Sequence, residues 1–159
     1  MEKGSLVNET IKEIEILEFR VGGNSYGINV NDIREILPFN TKPMWVPNAN
    51  PCIEGIIKPR DFLIPIINLG KVLKLEHVDE AGNEMLIVTS INNLNIAIHV
   101  DSVRGIHTLL SNEVKKPGKK VSTTFKEAVE GILPHDDYFI ELLDYRRIFK
   151  EVNQEINLD

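Results

Sequence analysis

The feature that most constrains this chain is an internal duplication. Residues 26–36 can be laid over residues 96–106 at an offset of 70, so that Ile28, Val30, Arg34 and Ile36 coincide with Ile98, Val100, Arg104 and Ile106. Residues 54–73 can be laid over residues 130–149 at an offset of 76. There Glu54-Gly55-Ile56 coincides with Glu130-Gly131-Ile132, Asp61 with Asp137 and Ile64 with Ile140. Other pairs keep their character: Phe62 with Tyr138, Ile67 with Leu143, Val72 with Ile148. Short β patterns resemble one another by chance, but here the order of matches is preserved across two blocks. Each half is too small to bury a full core easily. The halves are therefore expected to pack on each other about a pseudo-two-fold axis, leaving a groove at their seam.

Apolar residues alternate with polar ones through most of both halves, which is the period of a half-buried strand. Leu17, Phe19 and Val21 alternate, Gly22-Gly23-Asn24 turns the chain, and Tyr26, Ile28 and Val30 alternate on the return. Ile14 and Ile16 are out of phase with Leu17 and Phe19, which predicts a strand start or a bulge near Ile16. Further strands are predicted over 52–57 and 62–67 around Lys58-Pro59-Arg60-Asp61, and over 85–91 and 94–100 around Asn92-Asn93. A last pair is predicted over 128–133 and 138–143 around Pro134-His135-Asp136-Asp137. Two helical segments are expected. Residues 31–37 form one or two turns with Ile33, Ile36 and Leu37 on one face. A C-terminal helix is capped by Asp144, with Tyr145, Ile148, Phe149 and Val152 at i, i+3, i+4 and i+7. The division expected is a flexible segment over 1–14, one domain of two pseudo-repeated β-barrels over 15–152, and a tail or linker over 153–159.

Composition narrows function by exclusion. The chain is 42% hydrophobic and 26% charged, outside the range of disordered chains. Its net charge is -6, which disfavours duplex nucleic acid as the main partner, since phosphate binding needs clustered cations. The one basic cluster, Lys115, Lys116, Lys119 and Lys120 around Pro117-Gly118, reads as a solvated loop. Cys52 is the single cysteine, so no intrachain disulfide and no multi-cysteine metal site can form. Residues 1–10 lack the basic start and apolar run of a secretory leader, and no apolar run approaches the length of a membrane span. A cytoplasmic location is expected.

Catalytic signatures are absent: there is no phosphate-binding loop, nucleophile elbow, zinc-protease helix or dinucleotide fingerprint. Gly22-Gly23-Asn24 reads as a hairpin turn and Asp136-Asp137 as a turn pair. Cys52, among apolar residues, reads as buried and inert. Trp45 and Met44 read as core or seam filler. His99 lies opposite Ile98 and Val100 and reads as a surface or hydrogen-bonded histidine. His77, His107 and His135 are scattered without metal-ligand spacing. No enzyme activity, cofactor or metal is expected.

The ordered motifs resemble the CheW-like domain of bacterial chemotaxis. Tyr26-Gly27-Ile28-Asn29-Val30 with Ile33-Arg34-Glu35-Ile36 is similar to its opening block. Residues 55–69, from Gly55-Ile56-Ile57-Lys58-Pro59-Arg60-Asp61 to Asn68-Leu69, resemble its central signature. Ala97-Ile98-His99-Val100-Asp101-Ser102-Val103 and Glu130-Gly131-Ile132 resemble its later blocks. In detail the first blocks are closest to the CheW-like domain that begins CheV proteins. The resemblance implies a mostly β fold of two intertwined SH3-like β-barrels with short helices and a C-terminal helix. It further implies a non-catalytic adaptor that binds the regulatory domain of the CheA histidine kinase and the cytoplasmic hairpin tip of chemoreceptors. Carried over by motif, the partner-binding residues are Ile33, Glu35, Ile36 and Arg60. Two departures stand out: the usual Arg-Gly is Arg60-Asp61, and the preceding pair is Lys58-Pro59. The residues also allow a purely structural account: Arg60 as a solvated turn arginine, Ile33 and Ile36 as the buried face of a short helix. The rival function is a double β-barrel that binds a small molecule or a nucleic acid.

Overall fold

The computed structural model describes residues 10–75, 82–118 and 121–156, with side chains to residue 153. Ten strands and two helices follow in order: β1 (Glu13–Val21), β2 (Asn24–Asn29), β3 (Ile33–Pro38), β4 (Ile53–Ile57), β5 (Ile64–Asn68), α1 (Leu69–Val72), β6 (Met85–Ile91), β7 (Leu94–Val100), β8 (Ser102–Leu110), β9 (Val129–His135), β10 (Tyr138–Leu143) and α2 (Tyr145–Ile156). They form two five-stranded sheets, ordered β8-β1-β2-β10-β9 and β3-β6-β7-β5-β4. Exchanging each of β1–β5 with its counterpart in β6–β10 converts one order into the other. The duplication is therefore a duplication of topology.

The two halves are exchanged as well as repeated. Each sheet takes a two-strand hairpin from one half and three strands from the other. Each hairpin is grafted on both sides, by a parallel pair (β2 with β10, β7 with β5) and by an antiparallel pair (β1 with β8, β6 with β3). Each sheet curls shut through a short bridge between the segment leaving one edge strand and the other edge strand. Met44 and Ile56 exchange backbone hydrogen bonds of 2.8 and 2.9 Å, and Lys115 and Ile132 two of 2.8 Å. These bridges explain the repeated Glu-Gly-Ile motif. A Cβ on Gly55 would lie 2.4 Å from the Met44 carbonyl oxygen, and one on Gly131 would lie 2.5 Å from Val114 Cγ1. The glycine is where an incoming segment crosses its strand.

Turns and caps repeat too. Gly22-Gly23 and Asn92-Asn93 occupy equivalent hairpin positions, all four with positive φ, as two-residue hairpin loops require. Asn68 caps α1 by accepting from the Lys71 N–H, and Asp144 caps α2 by accepting from those of Arg146 and Arg147.

Three apolar clusters fill the molecule. Ile16, Leu109, Leu133, Ile140 and Leu142 fill the first barrel; Ile64, Ile66, Leu86, Val88 and Ala97 fill the second. The third and largest lies at the seam, where Leu17, Phe19, Tyr26 and Ile28 meet Ile67, Leu69, Ile87, Ile98 and Ile148. Strand β1 is thus buried on both faces, with Ile16 turned to the barrel and Leu17 and Phe19 to the seam. This accounts for the phase break in the sequence: β1 begins at Glu13, and its register shift against β8 falls between Glu18 and Phe19.

Three further expectations are corrected. Residues 33–38 are strand, preceded only by a 3-10 turn at Val30–Asp32, and the equivalent residues 102–110 are strand as well. Five residues with apolar side chains at Ile33, Ile36 and Leu37 satisfy either period, and pairing with β6 decides for strand. Trp45 is 79% exposed and Met44 is also exposed, because the segment joins β4 through its backbone and leaves its side chains outside. Cys52 is half-buried, not buried. Residues 1–9 of the expected flexible segment, His77, Lys119 and Lys120 of the basic cluster, and residues 157–159 of the expected tail lie outside the described residues.

Candidate functional site

The expected partner-binding residues fall on the second barrel. Arg60 occupies a 3-10 turn, Pro59–Asp61, between β4 and β5. Its φ is 51° and that of Asp61 is 70°, so both lie in the left-handed region. The equivalent turn of the first barrel holds Asp136 at φ 50°, which makes the left-handed corner a property of the repeated hairpin. Asp61 can occupy this corner because a short polar side chain tolerates the conformation better than most. The Arg60 guanidinium donates from Nη2 to Glu35 Oε1. Since β3 and β4 are the two edges of their sheet, this ion pair spans the closure of the barrel. It is exposed, so it contributes at most about 1 kcal/mol to stability and serves to orient both side chains.

The other two residues part company. On a strand, Ile33, Glu35 and Leu37 are half-buried while Arg34, Ile36 and Pro38 are exposed. Ile33 packs against the seam cluster, so it is a structural residue first. Ile36 is 38% exposed, on the face of β3 opposite Glu35. A groove beside the ion pair is lined by Arg34, Glu35, Arg60, Phe62 and Asn95.

Motif reasoning missed the exposed apolar residues that accompany this site. Leu63 is 61% exposed, and its duplicate Phe139 is 62% exposed. Ile36 has its duplicate in Ile106, 58% exposed. The duplication carried the signal: an apolar residue kept outside in both copies is not there for the barrel core. Each barrel therefore presents apolar surface at matching places, the first with Ile106 and Phe139, the second with Ile36 and Leu63.

Two histidine environments complete the polar map. His99 is the hydrogen-bonded histidine expected, held between Glu54 at Nδ1 and Glu84 at Nε2 (2.6 Å) and stacked on Phe39 at 4.2 Å. Burial lowers its pKa, but the two carboxylates outweigh burial and hold it above the ordinary value. His107 and His135, scattered in sequence, are brought together with ring centroids 4.6 Å apart, beside buried Glu18. Strand pairing of β8 with β1 and closure by the β9–β10 hairpin create that cluster, and neither is encoded in local spacing.

Two pseudo-equivalent barrels completed by exchanged strands, each carrying exposed apolar side chains outside a closed core, define the class of double-barrel module to which this chain belongs. The chain belongs to the CheW-like domain family, whose model matches residues 15–153. It is 27% identical to a probable chemotaxis protein CheW of Rhizobium etli, over 89% of this chain and 90% of that one. It is 26% identical to the chemotaxis protein CheW of Thermotoga maritima, over 91% and 93%. With the chemotaxis protein CheV3 of Helicobacter pylori it shares 28% identity over 89% of this chain and 49% of that protein. The crystal structure of the scaffolding protein TtCheW from Thermoanaerobacter tengcongensis superposes with a TM-score of 0.80 at 24% identity, covering 87% of this chain and 88% of that one. The mostly β double barrel expected from the motifs is thus the family fold. No described helix is long and apolar enough to cross a membrane.

Proposed function

We propose that this chain is a non-catalytic coupling adaptor of bacterial chemotaxis, joining chemoreceptors to the CheA histidine kinase through protein–protein contacts. The family match across residues 15–153 carries this reading. The repeated apolar surface supports it: exposed apolar side chains at matching places on both barrels suit a protein that must dock more than one partner. On the second barrel, Glu35, Ile36 and Arg60 form the contact surface, with Ile36 and Leu63 supplying apolar area and the ion pair supplying orientation. The kinase regulatory domain is assigned to such a barrel face and the receptor's hairpin tip to the seam or an adjoining face. The adaptor works in the cytoplasm at receptor arrays, and placement of the kinase, not chemistry on this chain, transmits the signal.

The test is a titration against the regulatory domain of a CheA kinase from the same source. Saturable one-to-one binding is expected. Arg60→Ala and Ile36→Asp should each weaken it by about tenfold, or about 1.4 kcal/mol, with the fold retained. Ile33 is unsuited to this test, because a charge there would disturb the seam. Wild-type affinity in both folded variants overturns the surface assignment; no binding at about 100 µM overturns kinase coupling.

A further inference from the structure

The first barrel holds a polar cluster that its duplication does not explain. Glu18 on β1 is 3% exposed and points into the barrel mouth. Its Oε1 lies 2.7 Å from His107 Nε2 on β8, and its Oε2 accepts from the Tyr138 hydroxyl at 2.8 Å. His135, at the end of β9, stacks edge-on against both His107 and Tyr138. Its Nε2 is 3.7 Å from Asp136 Oδ2, too far for a hydrogen bond. One ligand atom from each of Glu18, His107 and His135 lies within 4.8 Å of the others.

The second barrel serves as an internal control. By the same offsets, the counterparts of Glu18, His107, His135 and Tyr138 are Val88, Leu37, Pro59 and Phe62. Val88 is buried in the second barrel's core and Leu37 packs against it. The same strands close there with apolar side chains, so closure does not require a buried carboxylate and two imidazoles. Burying a carboxylate at this place is costly and calls for a positive partner.

We propose that Glu18, His107 and His135 form a site for one divalent cation of the zinc type, joining the two edge strands of the first barrel. Two imidazoles and one carboxylate are the donor set of three-ligand zinc sites, with a fourth position left for water or a partner's side chain. Four bonds of zinc length in a tetrahedron place donor atoms about 3.3 Å apart, between the 2.7 Å and 4.8 Å of this cluster. Small turns of the two half-exposed imidazoles complete the geometry. The Tyr138 hydroxyl fixes the carboxylate from the second oxygen, as outer partners of metal ligands do. The ion would tie β8 to β9 across the opening of the sheet.

Calorimetric titration of the full chain with Zn²⁺ tests this. One equivalent should bind with micromolar affinity or better, and saturating Zn²⁺ should raise the thermal midpoint. Co²⁺ should give visible absorption bands of a four-coordinate site. His107→Gln and His135→Gln should each weaken binding by about tenfold or more and abolish the thermal shift. His135 ends β9 beside the hairpin turn and is half-buried, so its variant keeps the test valid should the other fail to fold. His77→Gln should bind as the parent does. Absence of binding at about 0.1 mM metal, or binding that survives both cluster substitutions, overturns the proposal.

Discussion

Gly55 and Gly105 have nearly the same φ, +151° and +145°, in very different surroundings. A Cβ on Gly105 would meet nothing within 4 Å, whereas one on Gly55 would lie 2.4 Å from the Met44 carbonyl oxygen and 2.8 Å from Pro43 Cβ. Gly105→Ala therefore isolates the backbone cost, about 1–3 kcal/mol for this region. The loss of unfolded-chain entropy returns about 0.4–1 kcal/mol, leaving a net cost of about 0–2.6 kcal/mol. Gly55→Ala carries that cost and must also displace Met44. The displacement breaks the two hydrogen bonds that join Met44 to Ile56, each contributing about 0.5–1.5 kcal/mol. The expected total is about 1–5.6 kcal/mol, so Gly55→Ala should exceed Gly105→Ala by about 1–3 kcal/mol. Gly131→Ala completes the set. Its backbone has no positive φ, and the Cβ would meet a Val114 methyl at 2.5 Å, a side-chain overlap with a cost of about 1–3 kcal/mol. Urea unfolding of the three variants measures these differences as shifts in midpoint at constant slope. A Gly55→Ala variant no less stable than Gly105→Ala would refute the claim that the crossing of Met44 over β4 makes the glycine necessary.

The raised pKa of His99 has a consequence for stability. Its folded pKa lies above its unfolded value of about 6.5, so the stabilisation is fully present below pH 6.5 and is lost as pH rises through the folded pKa. Imidazole NMR should show His99 titrating above 6.5, and Glu54→Gln with Glu84→Gln should bring it down; titration at or below 6.5 in the parent contradicts this assignment. Tyr26 is fully buried at the seam with its hydroxyl 2.6 Å from Ser122 Oγ, and burial pushes its phenol up to about 12. Spectrophotometric titration should show one phenol ionising near that value, absent in Tyr26→Phe; the phenylalanine variant should lose about 1 kcal/mol for the missing hydrogen bond.

Local chemistry determined much of this protein in advance. The alternation in residues 85–100 determined the β6–β7 hairpin to the residue, because a two-residue turn of left-handed asparagines fixes register. Asp144 and the i, i+3, i+4, i+7 series determined where α2 begins, and the ordered matches between halves determined that the fold is built twice. Arg60 was also legible, as the corner of a repeated hairpin. What only the tertiary structure decided is which half completes which barrel. Residues 33–38 suit a helix and a strand equally, and only pairing with β6 of the other half settles the matter. That exchange puts Ile33 at the seam and Ile36 outside, ties Glu35 to Arg60, and leaves Trp45 in solvent. It also gathers Glu18, His107 and His135 from three strands far apart in sequence. Periodicity reports which face of a strand is buried, but not against what. Barrel closure and strand exchange are long-range choices, made by the packing of all ten strands together.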